Sequence, residues 1–274
     1  MKKWTLILVA LALCFGCQER RQSSAPTVNK QPNKKAAVDP AKAPAEKAAV
    51  KQKVEAEKFV WPPLREPGKE IVVAPNVMAK NYLVILDGSG SMNEATCAEG
   101  SKMLTAQKAL DQFVKDLPED ANLGLVYFVD KKKIYAPIPL GTNNRKEFVD
   151  AVNQIRGNGR TPLRESIEKA RNILDLQGQA QSGLGEYTIV VVTDGEETVD
   201  ETLAPLDRVV RSIIENTPIA LYTIGFCISG NHSLNRSGVT YRDARNPAEL
   251  ASALQGVLAE SPEFSVLEFE PTAP

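Results

Sequence analysis

The sequence predicts an α/β fold, built as a doubly wound, mostly parallel sheet with helices on both faces. Short apolar segments rich in β-branched residues alternate along the chain with segments whose apolar residues recur at helical spacing. The apolar segments, such as 82–86 and 188–192, are continuous, as is typical of strands buried on both faces. Each of these two is followed within two residues by Asp-Gly, which indicates a strand running into a loop.

The predicted strands lie, in chain order, at 82–86, 123–128, 134–140, 188–192, 219–224 and 239–241. All but the last are apolar runs of the length expected for strands. Pro137 and Pro139 place the third strand at an edge of the sheet, because proline cannot donate to a neighbouring strand.

The predicted helices lie at 102–117, 145–155, 162–174, 201–215 and 247–258. The first carries Ala106, Leu110 and Phe113 on one stripe, and the others repeat this spacing. Pro162 and Pro247 begin two of the helices, at a position where proline is favoured. Strands that alternate with such helices predict a sheet covered on both faces.

The chain before this domain divides into three parts. Residues 1–17 combine Lys2 and Lys3 with an apolar stretch too short to span a membrane, which predicts an export signal. The stretch ends at Cys17 in a pattern that resembles the bacterial lipobox, although an ordinary cysteine near a cleavage site is the alternative. Lipid on Cys17 would anchor the protein to a bacterial membrane. Gln18, which is not Asp, favours the outer membrane, facing the periplasm or the cell surface.

Residues 18–58 form the predicted tether. They contain no aromatic residue, Leu or Ile and are rich in Ala, Lys and Pro, so we expect disorder. Residues 59–75 restore apolar side chains and are expected to pack on the domain as a lead-in. The domain itself is placed at 76–262, and 263–274 form a C-terminal tail.

Oxygen-bearing side chains follow two of the buried strands. Asp87, Ser89 and Ser91 come directly after the first, and Asp194 follows the strand at 188–192. Because parallel strands end at one edge of a sheet, where open α/β sheets bind ligands, these side chains should meet there. Thr161, in a loop before a helix, supplies a further hydroxyl. One carboxylate with neutral hydroxyls suits a hard divalent cation.

This set, Asp-Gly-Ser-Gly-Ser followed by Thr161 and Asp194, resembles the metal-ion-dependent adhesion site of von Willebrand factor A (VWA) domains. The resemblance covers roughly residues 76–262 and implies the Rossmann-like VWA fold. It also implies direct coordination by Ser89 and Ser91, with Asp87 and Asp194 often acting through water. The implied ion is Mg²⁺, with Mn²⁺ or Ca²⁺ as alternatives. The implied partner is a protein that supplies a Glu or Asp carboxylate to the metal.

Several other functions find little support in the sequence. Residues 59–274 hold 21 Lys and Arg against 29 Asp and Glu, so no nucleic-acid partner is expected. No lysine-bearing phosphate loop or Gly-x-Gly-x-x-Gly motif is present, so no nucleotide is expected. His232 is the only histidine, and no nucleophile is placed beside it as a hydrolase would need. We therefore expect no enzyme activity and no catalytic residues.

Cys97 and Cys227 follow two strand ends, at the same edge of the sheet as the predicted metal site. In an oxidising compartment two such cysteines commonly form a disulfide, although two unpaired thiols are the alternative. The sequence as a whole predicts a membrane-anchored binding module that engages an acidic protein ligand. The alternatives are a structural or assembly factor with a stabilising metal site, or a hydrolase or accessory subunit of a metal-dependent enzyme.

Overall fold

The computed structural model describes residues 60–64, 68, 70–97, 100–130, 133–228 and 232–260. The predicted signal sequence, tether and C-terminal tail lie outside these residues, and the lead-in is described only in part. The described chain forms one six-stranded sheet with five α-helices. None of these helices is both long enough and apolar enough to cross a membrane.

The strands are β1 Lys80–Asp87, β2 Asn122–Asp130, β3 Lys133–Gly141, β4 Glu186–Thr193, β5 Ala220–Phe226 and β6 Thr240–Ala244. The helices are α1 Lys102–Asp116, α2 Arg145–Gln154, α3 Leu163–Ala180, α4 Ala204–Asn216 and α5 Pro247–Ala259. A short 3₁₀ helix, Gly90–Asn93, follows β1.

The strand order is β3-β2-β1-β4-β5-β6, and every neighbouring pair is parallel except β2 and β3. The predicted fold class, a mostly parallel sheet with helices on both faces, is confirmed. The proline-bearing strand β3 lies at an edge, as predicted. The parallel strands all run in one direction, so their last residues lie together along one side of the sheet, here called the carboxyl edge. Their first residues lie together along the opposite side.

The core lies on both sides of the sheet because the central strands bury alternate residues against different helices. Tyr82, Val84 and Leu86 of β1 join the cluster formed with α1, α2 and α5. Leu83 and Ile85 join the cluster formed with α3 and α4. A strand that is buried on both faces needs a continuous apolar sequence, which is what made β1 predictable.

Several element boundaries differ from the prediction. Helix α3 runs from Leu163 to Ala180 and not from 162 to 174. The last strand covers Thr240–Ala244 and not 239–241, and its residues are only partly buried because it is the other edge of the sheet. The sequence did not predict that the strand extends past 241, because Arg242 and Asp243 are both polar. Helix α4 begins at Ala204 and not at 201, with Pro205 in its first turn.

Trp61, in the described part of the lead-in, packs on the domain where the parallel strands begin, opposite the carboxyl edge. Its indole Nε1 donates to Asp175 Oδ1 at 2.8 Å. Its ring lies edge-on to Tyr187, with 4.5 Å between ring centroids. Gly178 permits this approach, since a Cβ atom there would lie 2.4 Å from the indole. The chain therefore enters the domain far from the carboxyl edge.

Candidate metal centre

The two aspartates predicted to meet lie at the ends of adjacent strands. Asp87 is the last residue of β1, and Asp194 directly follows β4. The register pairs Leu86 of β1 with Val192 of β4, so both strands run out at the same level. Strand pairing thus brings residues 107 positions apart in the sequence to one place at the carboxyl edge.

The Asp87 carboxylate is fully buried and has a partner on each oxygen. Oδ1 accepts the backbone N–H of Ser89 at 2.7 Å, and Oδ2 accepts the hydroxyl of Thr193 at 2.6 Å. The first bond shapes the loop after β1, and the second ties that loop to the end of β4. Gly88 is required between them, because a Cβ atom there would lie 2.1 Å from the Phe128 carbonyl oxygen.

Ser89, Ser91 and Asp194 form one hydrogen-bonded cluster. The two serine hydroxyls lie 3.0 Å apart, and the Ser91 hydroxyl donates to Asp194 Oδ1 at 2.8 Å. The 3₁₀ helix that carries Ser91 is anchored by Met92, which is fully buried in the core. The structure therefore brings these three predicted residues together.

Thr161 lies on a loop that is docked against the same site. The Asn158 N–H donates to the Gly88 carbonyl at 2.7 Å, and the Gly90 N–H donates to the Gly159 carbonyl at 3.1 Å. Thr161 itself is held by Thr198, whose Oγ1 accepts the Thr161 N–H at 2.9 Å. Among the described residues, the Thr161 hydroxyl has no hydrogen-bond partner, which leaves its oxygen available to a ligand.

Two residues of the site were missed by the sequence analysis. Thr193 orients Asp87, as described above. Lys102, the first residue of α1, places its Nζ 2.9 Å from Asp194 Oδ2 and 3.2 Å from Glu94 Oε2. A threonine that ends a strand carries no signal of such a role in the sequence alone, and a lysine that begins a helix carries only the signal of an unfavourable charge at a helix start.

Burial dominates the electrostatics of the site. It raises the pKa of Asp87 to about 6, assisted by the neighbouring charge of Asp194 and opposed by the hydrogen bonds from Thr193 and Ser89. Burial alone would lower the pKa of Lys102. The hydrogen bonds and negative charges of Asp194 and Glu94 outweigh it, so the pKa of Lys102 lies above its usual range. Lys102 is therefore a permanent cation.

The donor set is consistent with a hard divalent cation. Serine and threonine hydroxyls with two carboxylates offer only oxygen ligands, which Mg²⁺, Mn²⁺ and Ca²⁺ accept. No group of three or more His, Cys, Asp or Glu able to hold a metal occurs in the described part of the chain. That finding suits this site, since three of its five predicted ligands are hydroxyls.

His232 supports the loop that follows Asp194. Its Nε2 lies 2.9 Å from the Gly195 carbonyl oxygen, and its Nδ1 accepts the Leu234 N–H at 3.0 Å. The ring is buried and stacks on Tyr241, with 5.6 Å between ring centroids. This network assigns a neutral imidazole protonated at Nε2, with both nitrogens occupied by backbone groups.

Cys97 and Cys227 form a disulfide, with their Cα atoms 6.1 Å apart. The bridge joins the loop between the 3₁₀ helix and α1 to the loop after β5. Both cysteines have positive φ angles, 48° and 62°, in the left-handed region that non-glycine residues seldom adopt. Of the two alternatives left open by the sequence, the structure contains the bridge.

Comparison with known proteins identifies the domain. The sequence profile of the von Willebrand factor type A domain matches residues 82–197, a segment that includes all five predicted metal ligands. The chain contains a VWA domain. A solved structure, the von Willebrand factor type A protein from Catenulispora acidiphila, superposes with a TM-score of 0.55 at 22% identity, covering 66% of this chain and 42% of that one. This likeness confirms the fold.

Curated relatives also match part of the chain. The uncharacterized protein YwmD of Bacillus subtilis is 25% identical over 174 residues, which cover 58% of this chain and 74% of YwmD. The UPF0353 protein Rv1481 of Mycobacterium tuberculosis is 31% identical over 121 residues, which cover 43% of this chain and 35% of that protein. The similarity to the mycobacterial protein therefore concerns one domain and not the whole protein.

Proposed function

We propose that this VWA domain is a membrane-anchored binding module that holds a divalent cation, Mg²⁺ first among the candidates, and uses it to engage an acidic protein ligand. The observation that carries the proposal is the cluster of Ser89, Ser91 and Asp194 at the carboxyl edge. It supplies hydroxyl and carboxylate oxygens from two separate strand ends, as the metal-ion-dependent adhesion site does. Five positions of that motif are filled in this chain.

The contacts of each residue support a division of roles. Ser89 and Ser91 present hydroxyl oxygens to the cation. Asp87 has both carboxylate oxygens engaged by Ser89 and Thr193, so it orients the loop and the water around the cation. When bound, the cation would act as a Lewis acid that accepts a carboxylate oxygen from the partner. Thr161 offers the remaining unengaged hydroxyl beside this position.

Membrane anchorage is supported by the sequence and by the position of the lead-in. The export signal and Cys17 supply an anchor, and residues 18–58 supply a tether. Trp61 joins the domain at the edge opposite the metal site. A chain attached there leaves the metal-bearing edge free to meet a partner. We therefore propose that the protein is anchored to a bacterial membrane, and Gln18 favours the outer membrane, facing the periplasm or the cell surface.

Binding, and not catalysis, is the activity that the site supports. The only histidine in the sequence has both ring nitrogens engaged by backbone groups, so His232 offers no free base. Ser89 and Ser91 hydrogen-bond to each other, and Ser91 donates to Asp194, not to a histidine. Neither serine is therefore activated as a nucleophile.

The test is crosslinking of the full-length protein in native membranes, with Mg²⁺ or with EDTA. We expect a crosslinked partner that is lost with EDTA and lost with Ser89→Ala. Asp150→Asn, which changes an exposed carboxylate on α2, is the matched control and should retain the partner. A partner captured equally well in EDTA would refute the metal-dependent module. If the partner is captured equally well in EDTA and EDTA also lowers the melting temperature, the metal only stabilises the domain, as in the alternative of a structural or assembly factor.

A further inference from the structure

The buried ammonium of Lys102 is held firmly inside the metal centre. Its side chain is 6% exposed, and the Asp194 side chain it contacts at 2.9 Å is 0% exposed. Its backbone N–H also donates to the Glu94 carbonyl at 2.8 Å. A cation at the start of a helix opposes the helix dipole, so this position is unfavourable without the two carboxylates beside it.

Lys102 changes the charge that a cation meets at this site. The buried ionisable groups joined to the cluster of Ser89, Ser91 and Asp194 are the carboxylates of Asp87 and Asp194 and the ammonium of Lys102, which together carry one negative charge when ionised. The buried carboxylate of Glu197 lies outside this cluster, because it accepts the backbone N–H groups of Arg164, Val199 and Asp200. Glu94 pairs with Lys102 from the solvent side, where its side chain is 60% exposed and its charge is screened. A divalent cation would therefore leave the buried site with one net positive charge.

A net positive charge in a buried site is unfavourable unless an anion balances it. One carboxylate from outside the chain restores neutrality. From this balance we propose that Lys102 couples the two binding events: the cation alone binds weakly, and a ligand carboxylate makes it bind tightly. The inference rests on the proposed function and specifies how its site is regulated. Because coupling between two ligands is reciprocal, the cation strengthens binding of the carboxylate by the same factor.

Lys102 also limits how Asp194 can interact with a bound cation. Asp194 Oδ2 is occupied by the ammonium, and Oδ1 accepts from the Ser91 hydroxyl. Each oxygen already accepts a hydrogen bond, so direct coordination of a cation by Asp194 would compete with the contacts to Lys102 and Ser91. The bound cation is directed to the serine hydroxyls, and Asp194 acts through Ser91. Lys102 is thus a positioning residue, not a metal ligand.

The experiment titrates Mn²⁺ into the full-length protein in detergent and measures free Mn²⁺ by electron paramagnetic resonance. Acetate is the carboxylate probe, and acetamide is its uncharged counterpart. For the unmodified protein we expect weak Mn²⁺ binding that acetate, but not acetamide, tightens at least about threefold. Lys102→Gln removes the charge and keeps a hydrogen-bond donor. It should tighten Mn²⁺ binding without acetate at least about tenfold and abolish the acetate effect.

Two further variants make the result interpretable. Lys102→Arg keeps the positive charge and should retain the acetate effect, whereas Lys108→Met removes an exposed lysine of the same helix and should change nothing. Equal Mn²⁺ affinities and equal acetate effects in the unmodified protein and Lys102→Gln would overturn the coupling while leaving the metal site intact. Absence of Mn²⁺ binding to both would overturn the proposed function as well. If Lys102→Gln fails to fold, an acetate effect missing from the unmodified protein still refutes the coupling.

Discussion

Replacing Asp87 by asparagine should stabilise the metal-free domain and abolish its response to metal. The pKa of Asp87 is raised from 3.8 to about 6, chiefly by burial. A carboxyl group whose pKa is raised in the folded state binds its proton more tightly there than in the unfolded chain. Protonation therefore favours folding below about pH 4, and this contribution is lost as the pH rises through 6. At pH 7 the ionised Asp87 destabilises the metal-free domain.

The magnitude follows from the difference between the two pKa values. About two pKa units correspond to about 3 kcal/mol at pH 7. For a domain of this size, that is a rise in melting temperature of roughly 6–12 °C. Asparagine fits the site, because its Oδ1 can accept the Ser89 N–H as Asp87 does. The Thr193 hydroxyl can then donate to the Gly195 carbonyl, 3.0 Å away, and accept from the new amide.

The assay is thermal unfolding of the full-length protein in detergent, followed by circular dichroism. In EDTA at pH 7 the Asp87→Asn variant should melt above the unmodified protein, and the difference should vanish below about pH 4. Saturating Mg²⁺ should remove most of this difference in melting temperature. At a concentration one hundred times the dissociation constant, the unmodified protein gains about 2.7 kcal/mol, and the variant gains nothing.

Asp150→Asn is the control, since it removes an exposed carboxylate that pairs with Lys146 on α2. It should neither raise the melting temperature in EDTA nor alter the shift with Mg²⁺. Two results would refute the reasoning about Asp87. One is a variant that melts lower than the unmodified protein in EDTA at pH 7. The other is a Mg²⁺ shift of equal size in both proteins.

Three further predictions concern other parts of the chain. Cys17→Ser should release the protein from membranes or block its maturation, and an intact mass showing unmodified Cys17 in the mature protein would contradict lipidation. The double variant Cys97→Ser and Cys227→Ser opens a loop of 130 residues and should lose up to about 5 kcal/mol of stability, measured in urea. Two free thiols in the denatured, unreduced protein would exclude the bridge. Trp61→Ala should lower stability by about 2 kcal/mol, since the partly buried indole loses its edge-on contact with Tyr187 and its hydrogen bond to Asp175. An unchanged urea midpoint would show that the lead-in is not fastened.

The fold was predictable because its central strands are buried on both faces. In a chain where apolar runs alternate with helices, a continuous run such as Tyr82–Leu86 is typical of a parallel strand buried on both faces. The last strand was less predictable, because an edge strand needs burial on fewer of its residues. Thr240–Ala244 contains the polar residues Arg242 and Asp243. These residues belong to the strand because they pair with β5, and a pairing between separate segments cannot be predicted from the local sequence.

The candidate site was predictable where chemistry and position coincided. Asp87, Ser89 and Ser91 follow a strand directly, and their residue types have few other reasons to alternate there. Lys102 was not predictable, because a lysine at the start of a helix is usually a solvated surface residue. Its role depends on the distance to Asp194, 92 positions away, and only the folded chain sets that distance. The one available signal was a cation at a helix start whose first turn has no acidic residue.

The lead-in and the candidate metal centre lie at opposite ends of one strand. Trp61 packs on Tyr187, the second residue of β4, whereas the metal centre lies beyond Thr193, the last residue of the same strand. Six residue steps of a strand place these points about 20 Å apart. Charges interact weakly over such a distance at physiological salt, and no titratable group is shared between the two regions.

Trp61→Ala should therefore weaken folding while leaving the Mn²⁺ affinity of the folded domain within about twofold, whereas Lys102→Gln should change that affinity at least about tenfold. A large loss of Mn²⁺ affinity in folded Trp61→Ala would mean that the lead-in communicates with the metal centre along the sheet.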